Sequence, residues 1–474
     1  MAHIEQLKKL RPLGKLEQVS TSCHHLGFFN NVGLSAHYKL SSSSSPAVPD
    51  LRQLIYAATG DLVRKHRILF AIPVNEDTTN TYFAALPSIN LNRTITFLQR
   101  SQPFIPNEGE DKELDAILED QHNTNFKSDY GTLPFWRLII LQNPGVEKEF
   151  TASFIYHHAI GDGVSGLVFH NALRDSLETA SSSLSLDVKT ERTVVADSDT
   201  SILPPLEELH PLPINPTSPS PPAKKLKEWT GNPIHTPCKS RFSSLYLSPS
   251  VSNTFFQECK EKNASVTSAL SSVIATVLFS ILPPTAEALT CIIPVSLRPW
   301  LKLPREVTND AIGTYFDATN VQFTRADHKS QDSSSTDIWA GAEQVSKVIN
   351  DYLGNVSPSG EPYTAVAIFK TIEDVSVIFN SMIGNPRDAA FEVTNVGLFP
   401  SSTNPQTESA PLWQVEKVML SRSAVVSGAA VTVSVATGGN GSMTVGFTWQ
   451  DGVLEDDVID NVSQGVRKYF NRYQ

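Results

Sequence analysis

Between Ala180 and Pro222 the chain turns rich in serine and proline, and Pro204-Pro205, Pro211, Pro213, Pro216, Pro219 and Pro221-Pro222 break every helical or strand pattern. Folded structure is therefore expected on either side of this stretch. At 474 residues the chain also exceeds the size at which a single hydrophobic core usually stops growing. The expectation is an N-terminal lobe over 1–180, a crossover linker over 181–239 and a C-terminal lobe over 240–474. A cleft between two such lobes is the default place for a site. With 40% hydrophobic and 18% charged residues, the halves hold enough apolar material for real cores.

The formal net charge of -11 leaves no basic footprint for nucleic acid or anionic lipid. Cys23, Cys238, Cys259 and Cys291 lie too far apart in sequence for a CxxC metal pattern or a disulfide framework, which fits reduced thiols in the cytosol. The N-terminal residues carry no signal-peptide pattern. The apolar run Ala269 to Leu282 is shorter than the roughly 18 to 20 residues a bilayer demands and reads as a buried helix.

Local patterning places the elements. Leu51, Leu54, Ile55, Ala58 and Leu62 form one stripe of a helix that starts near Pro49 and Asp50. Trp136 to Leu141 is β-prone, Asn143-Pro144-Gly145 is a turn, and Phe150, Ala152 and Phe154 alternate with polar residues, so a hairpin is expected. In the second half, Val266 to Leu282 is a helix beside a strand at Thr290 to Val295. Val431, Val433 and Val435 face Met443, Val445 and Phe447 across Gly438-Gly439-Asn440-Gly441 as another hairpin, and Val458 to Phe470 is a docked terminal helix. The class is α+β, with sheet and helix in each half.

The first hairpin ends at His157-His158-Ala159-Ile160-Gly161-Asp162-Gly163, and Val164, Leu167, Val168 and Ala172 then recur at helical spacing. Two adjacent histidines closing a strand, with an aspartate capping the next helix, would be a bland structural pattern. The full spacing HHxxxDG arises by chance in roughly one chain in a thousand of this length, and here it falls on a strand-to-helix turn, where catalytic groups are commonly held. A histidine with an unperturbed pKa near 6.5 suits the removal of a hydroxyl proton at neutral pH. No GxSxG elbow and no activated cysteine is present, so direct attack by an alcohol on an acyl group needs no protein nucleophile here.

His157 to Gly163 resembles the shared motif of chloramphenicol acetyltransferase, peptide-synthetase condensation domains, plant BAHD acyltransferases and the fungal alcohol O-acetyltransferases. The rest of the chain resembles the last of these. Arg11 to Glu17, His25-Leu26-Gly27, Tyr38, Pro134 to Arg137, Pro294 to Pro299, Ile312 to Tyr315 and Thr394 to Gly397 match its blocks in order. The plant DFGWG is absent, with Phe447-Thr448-Trp449-Gln450-Asp451-Gly452 near the end instead, and Thr394 stands where a serine is expected before Asn395.

The resemblance implies two chloramphenicol-acetyltransferase-like lobes with mixed sheets, set as a V-shaped pseudo-dimer around a central channel. It implies acetyl transfer from acetyl-CoA, a cosubstrate and not a permanently bound cofactor, to the hydroxyl of a small alcohol or secondary metabolite. His158 would be the general base and Asp162 would pair with Arg298. His157, Gly161, Gly163 and Asn395 would support them. A monomer in the cytoplasm is expected, with peripheral contact to internal membranes left open. Amine acylation, thioester or ester hydrolysis, and a catalytically silent binding protein are the competing readings.

Lys224 and Lys225, with Lys227 beside Trp229, are candidates for the phosphates of coenzyme A, although they equally suit a solvated linker end. His24-His25 next to Cys23 lacks a carboxylate at helical spacing and reads as structural, so no metal site is expected. His66 suits a helix C-terminus, and His122, His210, His235 and His328 are expected at the surface.

Overall fold

A computed structural model describes residues 4–41, 50–102, 109–146, 148–183, 191–216, 226–326, 337–400, 411–455 and 457–473. Two mixed sheets organise it. The first has five strands in the order Trp413–Arg422, Val32–Leu40, Glu149–Tyr156, Trp136–Gln142 and Ile95–Gln99, antiparallel except for the last pair. The second has six, in the order Ser240–Leu247, Met443–Gln450, Val431–Thr437, Phe391–Leu398, Ala288–Ser296 and Phe316–Thr324, with Phe391–Leu398 parallel to both its neighbours.

Helices cover each sheet where the sequence places an apolar stripe. Leu51–Lys65, capped by the Asp50 carboxylate on the Arg52 N–H, packs with Gly163–Ser183 against the first sheet. Val266–Ile281, capped by Ser265, packs with Trp339–Gly354 and Val458–Phe470 behind the second. Both predicted hairpins form.

Three findings differ from the sequence reading. Trp413–Arg422 lies well inside the stretch expected to be the second lobe, yet it forms the edge of the first sheet, in register with Val32–Leu40. Burial pattern decides whether a segment is a strand but not which sheet it joins, so the division at 239/240 is crossed by one strand. The linker carries a short strand, Thr193–Val195, paired with Ser88–Asn90, and a helical turn, Leu206–Leu209, whose leucines are buried with Leu297, Leu301 and Tyr315. Finally, His122 and His210 are fully buried: the His122 ring meets Asn31 Oδ1 at 2.6 Å, and His210 Nδ1 accepts from the Leu212 N–H at 3.0 Å.

Candidate active site

The strand Glu149–Tyr156 delivers the chain to His157, and a tight turn carries it into the helix Gly163–Ser183. The turn is held from several sides. The Tyr156 hydroxyl donates to the Asp162 carbonyl at 2.6 Å, and the Thr314 hydroxyl donates to the carbonyls of His158 and Ala159 at 2.8 and 3.2 Å. Gly161 and Gly163 are needed for space and not for a left-handed φ, since neither has one. A Cβ on Gly163 would stand 2.9 Å from Val396 Cγ1, and one on Gly161 would stand 2.8 Å from Ser165 Cβ.

Asp162 serves two ends at once. Its Oδ1 caps the helix, accepting from the Ser165 N–H and hydroxyl, both at 3.1 Å. Its Oδ2 accepts from Arg298 Nη1 at 2.6 Å and from the Tyr315 N–H at 3.0 Å. Arg298 also donates to the carbonyls of Ala311 and Gly313 at 3.2 and 3.3 Å. Burial alone would raise the Asp162 pKa, but the charge and hydrogen bonds of Arg298 outweigh it and hold the carboxyl below its usual range. The helix cap and the inter-lobe ion pair coexist on Asp162 because they use different oxygens.

His158 lies half-buried, stacked on Phe316 with ring centroids 5.2 Å apart and 5.5 Å from Phe29. Its Nδ1 is 3.0 Å from the Gly161 carbonyl oxygen. A carbonyl can only accept, so Nδ1 carries the proton and Nε2 keeps a lone pair. Burial lowers the His158 pKa and the positive charge of Arg422 lowers it further, opposed in part by Asp162 and the Gly161 carbonyl. The ring is neutral at physiological pH.

His158 lines a cavity of about 260 Å³ where the two sheets meet. Asp162, Gly163 and Asn395 also reach it, while Arg298 stands behind Asp162 and does not. Asn395 shapes the wall: its amide donates to Thr267 Oγ1 at 3.1 Å and its oxygen accepts from the Gly397 N–H at 2.9 Å. The Thr394 hydroxyl donates to Glu392 Oε1 at 2.5 Å.

His157 is turned away from the cavity, 1% exposed, into a buried cluster with Glu76 and His24. His24 Nδ1 lies 2.9 Å from Glu76 Oε2, and His157 Nε2 lies 3.4 Å from Oε1. On the far side of each ring a backbone N–H donates, Phe126 to His24 Nε2 at 3.1 Å and Ala159 to His157 Nδ1 at 3.0 Å. The far nitrogens are acceptors, so in each ring the nitrogen facing Glu76 is the one that carries a proton. A metal there would need a lone pair where the proton sits.

A family model described as alcohol acetyltransferase matches residues 107–458. A protein of Aspergillus fumigatus, "Probable alcohol acetyltransferase crmB", is 65% identical over 462 residues, spanning 97% of this chain and 99% of its own. The chain belongs to the alcohol acetyltransferase family. "Probable alcohol acetyltransferase FCK4" of Fusarium pseudograminearum is 22% identical over 97% of this chain and 94% of its own. Among solved structures, TRI3 trichothecene 15-O-acetyltransferase from Fusarium sporotrichioides superposes with a TM-score of 0.71 at 12% identity, over 98% of this chain and 95% of that one. A condensation domain of CDA synthetase gives 0.60 at 12% identity, over 99% and 96%. These two likenesses establish the two-lobed fold.

The chain thus brings His158, Asp162, Gly163 and Asn395 to one cavity and backs them with Arg298 and His157. Lys224 and Lys225 lie outside the described residues. Sequence reasoning missed Phe29 and Phe316, which contact the His158 ring, and the charged pair Glu392 and Arg422 in the cavity wall. Glu392 had a signal, a carboxylate inside the otherwise apolar run Ala389 to Val393, while Glu76 had none. Among the described residues, no single helix is long and apolar enough to cross a membrane.

Proposed function

We propose that the protein transfers an acetyl group from acetyl-CoA to the hydroxyl of a small-molecule alcohol, by direct attack, with His158 as the general base. The observation that carries this is the His158 tautomer: Nδ1–H is held by the Gly161 carbonyl, which leaves Nε2 as the basic atom of a residue lining the cavity. Nε2 takes the hydroxyl proton as the oxygen attacks the thioester carbonyl, and the C–S bond breaks as the tetrahedral intermediate collapses. The imidazolium then gives that proton to the departing thiolate, so the products are the ester and free coenzyme A. A depressed pKa makes the imidazolium quick to release the proton. Asp162 takes no proton; with both oxygens occupied it fixes the turn that carries His158.

The test is ester formation from acetyl-CoA and a panel of alcohols and amines, read by mass spectrometry alongside free coenzyme A. Release that depends on an alcohol supports transfer, release without one supports hydrolysis, and none with any acceptor supports a silent binding protein. His158→Ala should lower kcat by about 100- to 10,000-fold with the melting temperature retained. In the wild type, kcat/KM should fall with acid along a limb below the ordinary histidine value of about 6.5. Wild-type turnover in the alanine variant would remove His158 as the base.

A further inference from the structure

The cavity is largely apolar, with Val19, Phe29, Val32, Ile292, Phe316 and Leu420 in its wall, but one ion pair interrupts it. Arg422 Nη1 and Nη2 donate to Glu392 Oε1 and Oε2 at 2.6 and 3.2 Å, a two-pronged pair whose side chains are 13% and 8% exposed. The partners come from different sheets, Arg422 from the last register position of the exchanged strand, opposite Val32, and Glu392 from the strand beside Ile292. The guanidinium lies 5.5 Å from the centre of the Phe29 ring, and that ring lies 5.5 Å from His158. The pair is therefore within the reach of one small molecule from the base.

The fold has little need of it. Taking two charges out of water costs roughly as much as their attraction returns, and apolar residues of like volume commonly hold such a position as well or better. The pair is also incomplete, because Arg422 Nε is buried without a hydrogen-bond partner, which is a further cost. Its chemistry matches a particular ligand. Each Nη keeps a second N–H beyond the one given to Glu392, the carboxylate keeps acceptor capacity beyond Arg422 and the Thr394 hydroxyl, and the two charges cancel. A hydroxyl or amide on the ligand satisfies both. A ligand carboxylate meets Glu392, and a ligand ammonium meets Arg422.

We propose that Glu392 and Arg422 form an acceptor-recognition element, which selects alcohols bearing a second, uncharged hydrogen-bonding group over purely apolar alcohols and over acidic or basic ones. This rests on reading the cavity as the acceptor site of the transfer proposed above.

Four eight-carbon probes test it: 1-octanol, 1,8-octanediol, 8-hydroxyoctanoate and 8-amino-1-octanol. Their affinities are measured by calorimetry for the full-length wild type, for the double variant Glu392→Leu/Arg422→Met, and for Arg422→Lys, which keeps the charge but loses Nε and the two-pronged geometry. The wild type should bind the diol at least about ten-fold more tightly than octanol and than either charged probe. Both variants should bring the diol-to-octanol ratio to within about two-fold, and Arg422→Lys decides the matter should the double variant fail to fold. A wild-type ratio near one, a ratio preserved in the variants, or a raised KM for acetyl-CoA with the ratio unmoved overturns the recognition role. Ester formation in the same samples judges the transfer separately. Preference for the diol without any ester sinks the transfer and keeps the recognition, whereas equal ester formation on all four probes sinks the recognition alone.

Discussion

Glu76 sits between two imidazoles, and their backbone partners decide what each can be. Because Phe126 and Ala159 donate to the far nitrogens, protonating either histidine there would set two donors against each other. Burial, and after it the neighbouring His24, lower the His157 pKa to about 4. Burial alone would raise Glu76, but hydrogen bonds from His157 and His24 outweigh it and bring its pKa to about 2. Glu76 therefore orients His157, the residue before His158, the proposed base. Glu76→Gln sets an amide NH₂ against one ring N–H, which should cost about 1–3 kcal/mol of stability and lower kcat more than the KM for acetyl-CoA. The sign with pH follows from the depressed carboxyl. The native advantage is complete above the ordinary carboxylate range near 4.3 and is lost as pH falls toward 2. Melts and initial rates between pH 7.5 and pH 6.5 check the cost in stability and in kcat, and equal stability with an unchanged kcat would refute the orienting role. The motif itself was legible because its residues are consecutive. Glu76 was not, since it stands 52 residues from His24 and no spacing rule links a loop carboxylate to a histidine on a distant helix.

Elements were legible wherever their signal is local, and the exchanged strand shows where that ends. Trp413–Arg422 lies across the hairpin Val431–Thr437 and Met443–Gln450, and the hairpin is built to receive it. Thr444 and Thr448 donate their hydroxyls to the carbonyls of Val418 and Arg422 at 2.6 and 3.2 Å. A Cβ on Gly446 would stand 2.9 Å from the Leu420 oxygen. The glycines of the turn, legible as a hairpin signal, have this second reason to be glycine, which only the crossing explains. A Cβ on Gly438 would lie 1.9 Å from the Glu416 carbonyl oxygen, and one on Gly439 would lie 2.4 Å from that of Val415, both at the bulge where the strand shifts register. Backbone cannot yield as a flexible side chain does. Gly438→Ala should therefore destabilise the protein by about 3 kcal/mol or more, measured by urea unfolding. Since the same strand carries Arg422 into the cavity, any displacement of it reaches the site; a variant as stable as the wild type would show that the crossing is looser than drawn.

Across the whole molecule, buried histidines outnumber what the sequence suggests, because their burial is decided by partners far along the chain, as with His122 and Asn31. Burial, and in four of the five also the charges or rings around them, holds His37, His66, His157 and His170 at about 4 and His122 at about 3. In the unfolded chain each titrates near 6.5. Above that value neither state is charged and these groups give no pH dependence. As pH falls from 6.5 toward 4, the unfolded chain binds protons that the native state cannot, and stability is lost at on the order of 3 kcal/mol per histidine. Five such groups together match the whole stability of a typical domain. Three carboxyls work the other way: burial raises Asp115 to about 7 and lifts Glu17 and Glu178 above their usual range, so the native state takes their protons first, but they are three groups against five. Unfolding is therefore expected between about pH 6 and pH 4, with a urea midpoint that falls steeply and a slope that counts several protons. A flat midpoint between pH 7 and pH 5 would show that these rings reach water in the native state. The acid limb expected of His158 also lies below about 6.5, and reversibility separates the two: a brief acid pulse that only protonates His158 leaves the near-UV circular dichroism native, whereas unfolding abolishes it together with activity.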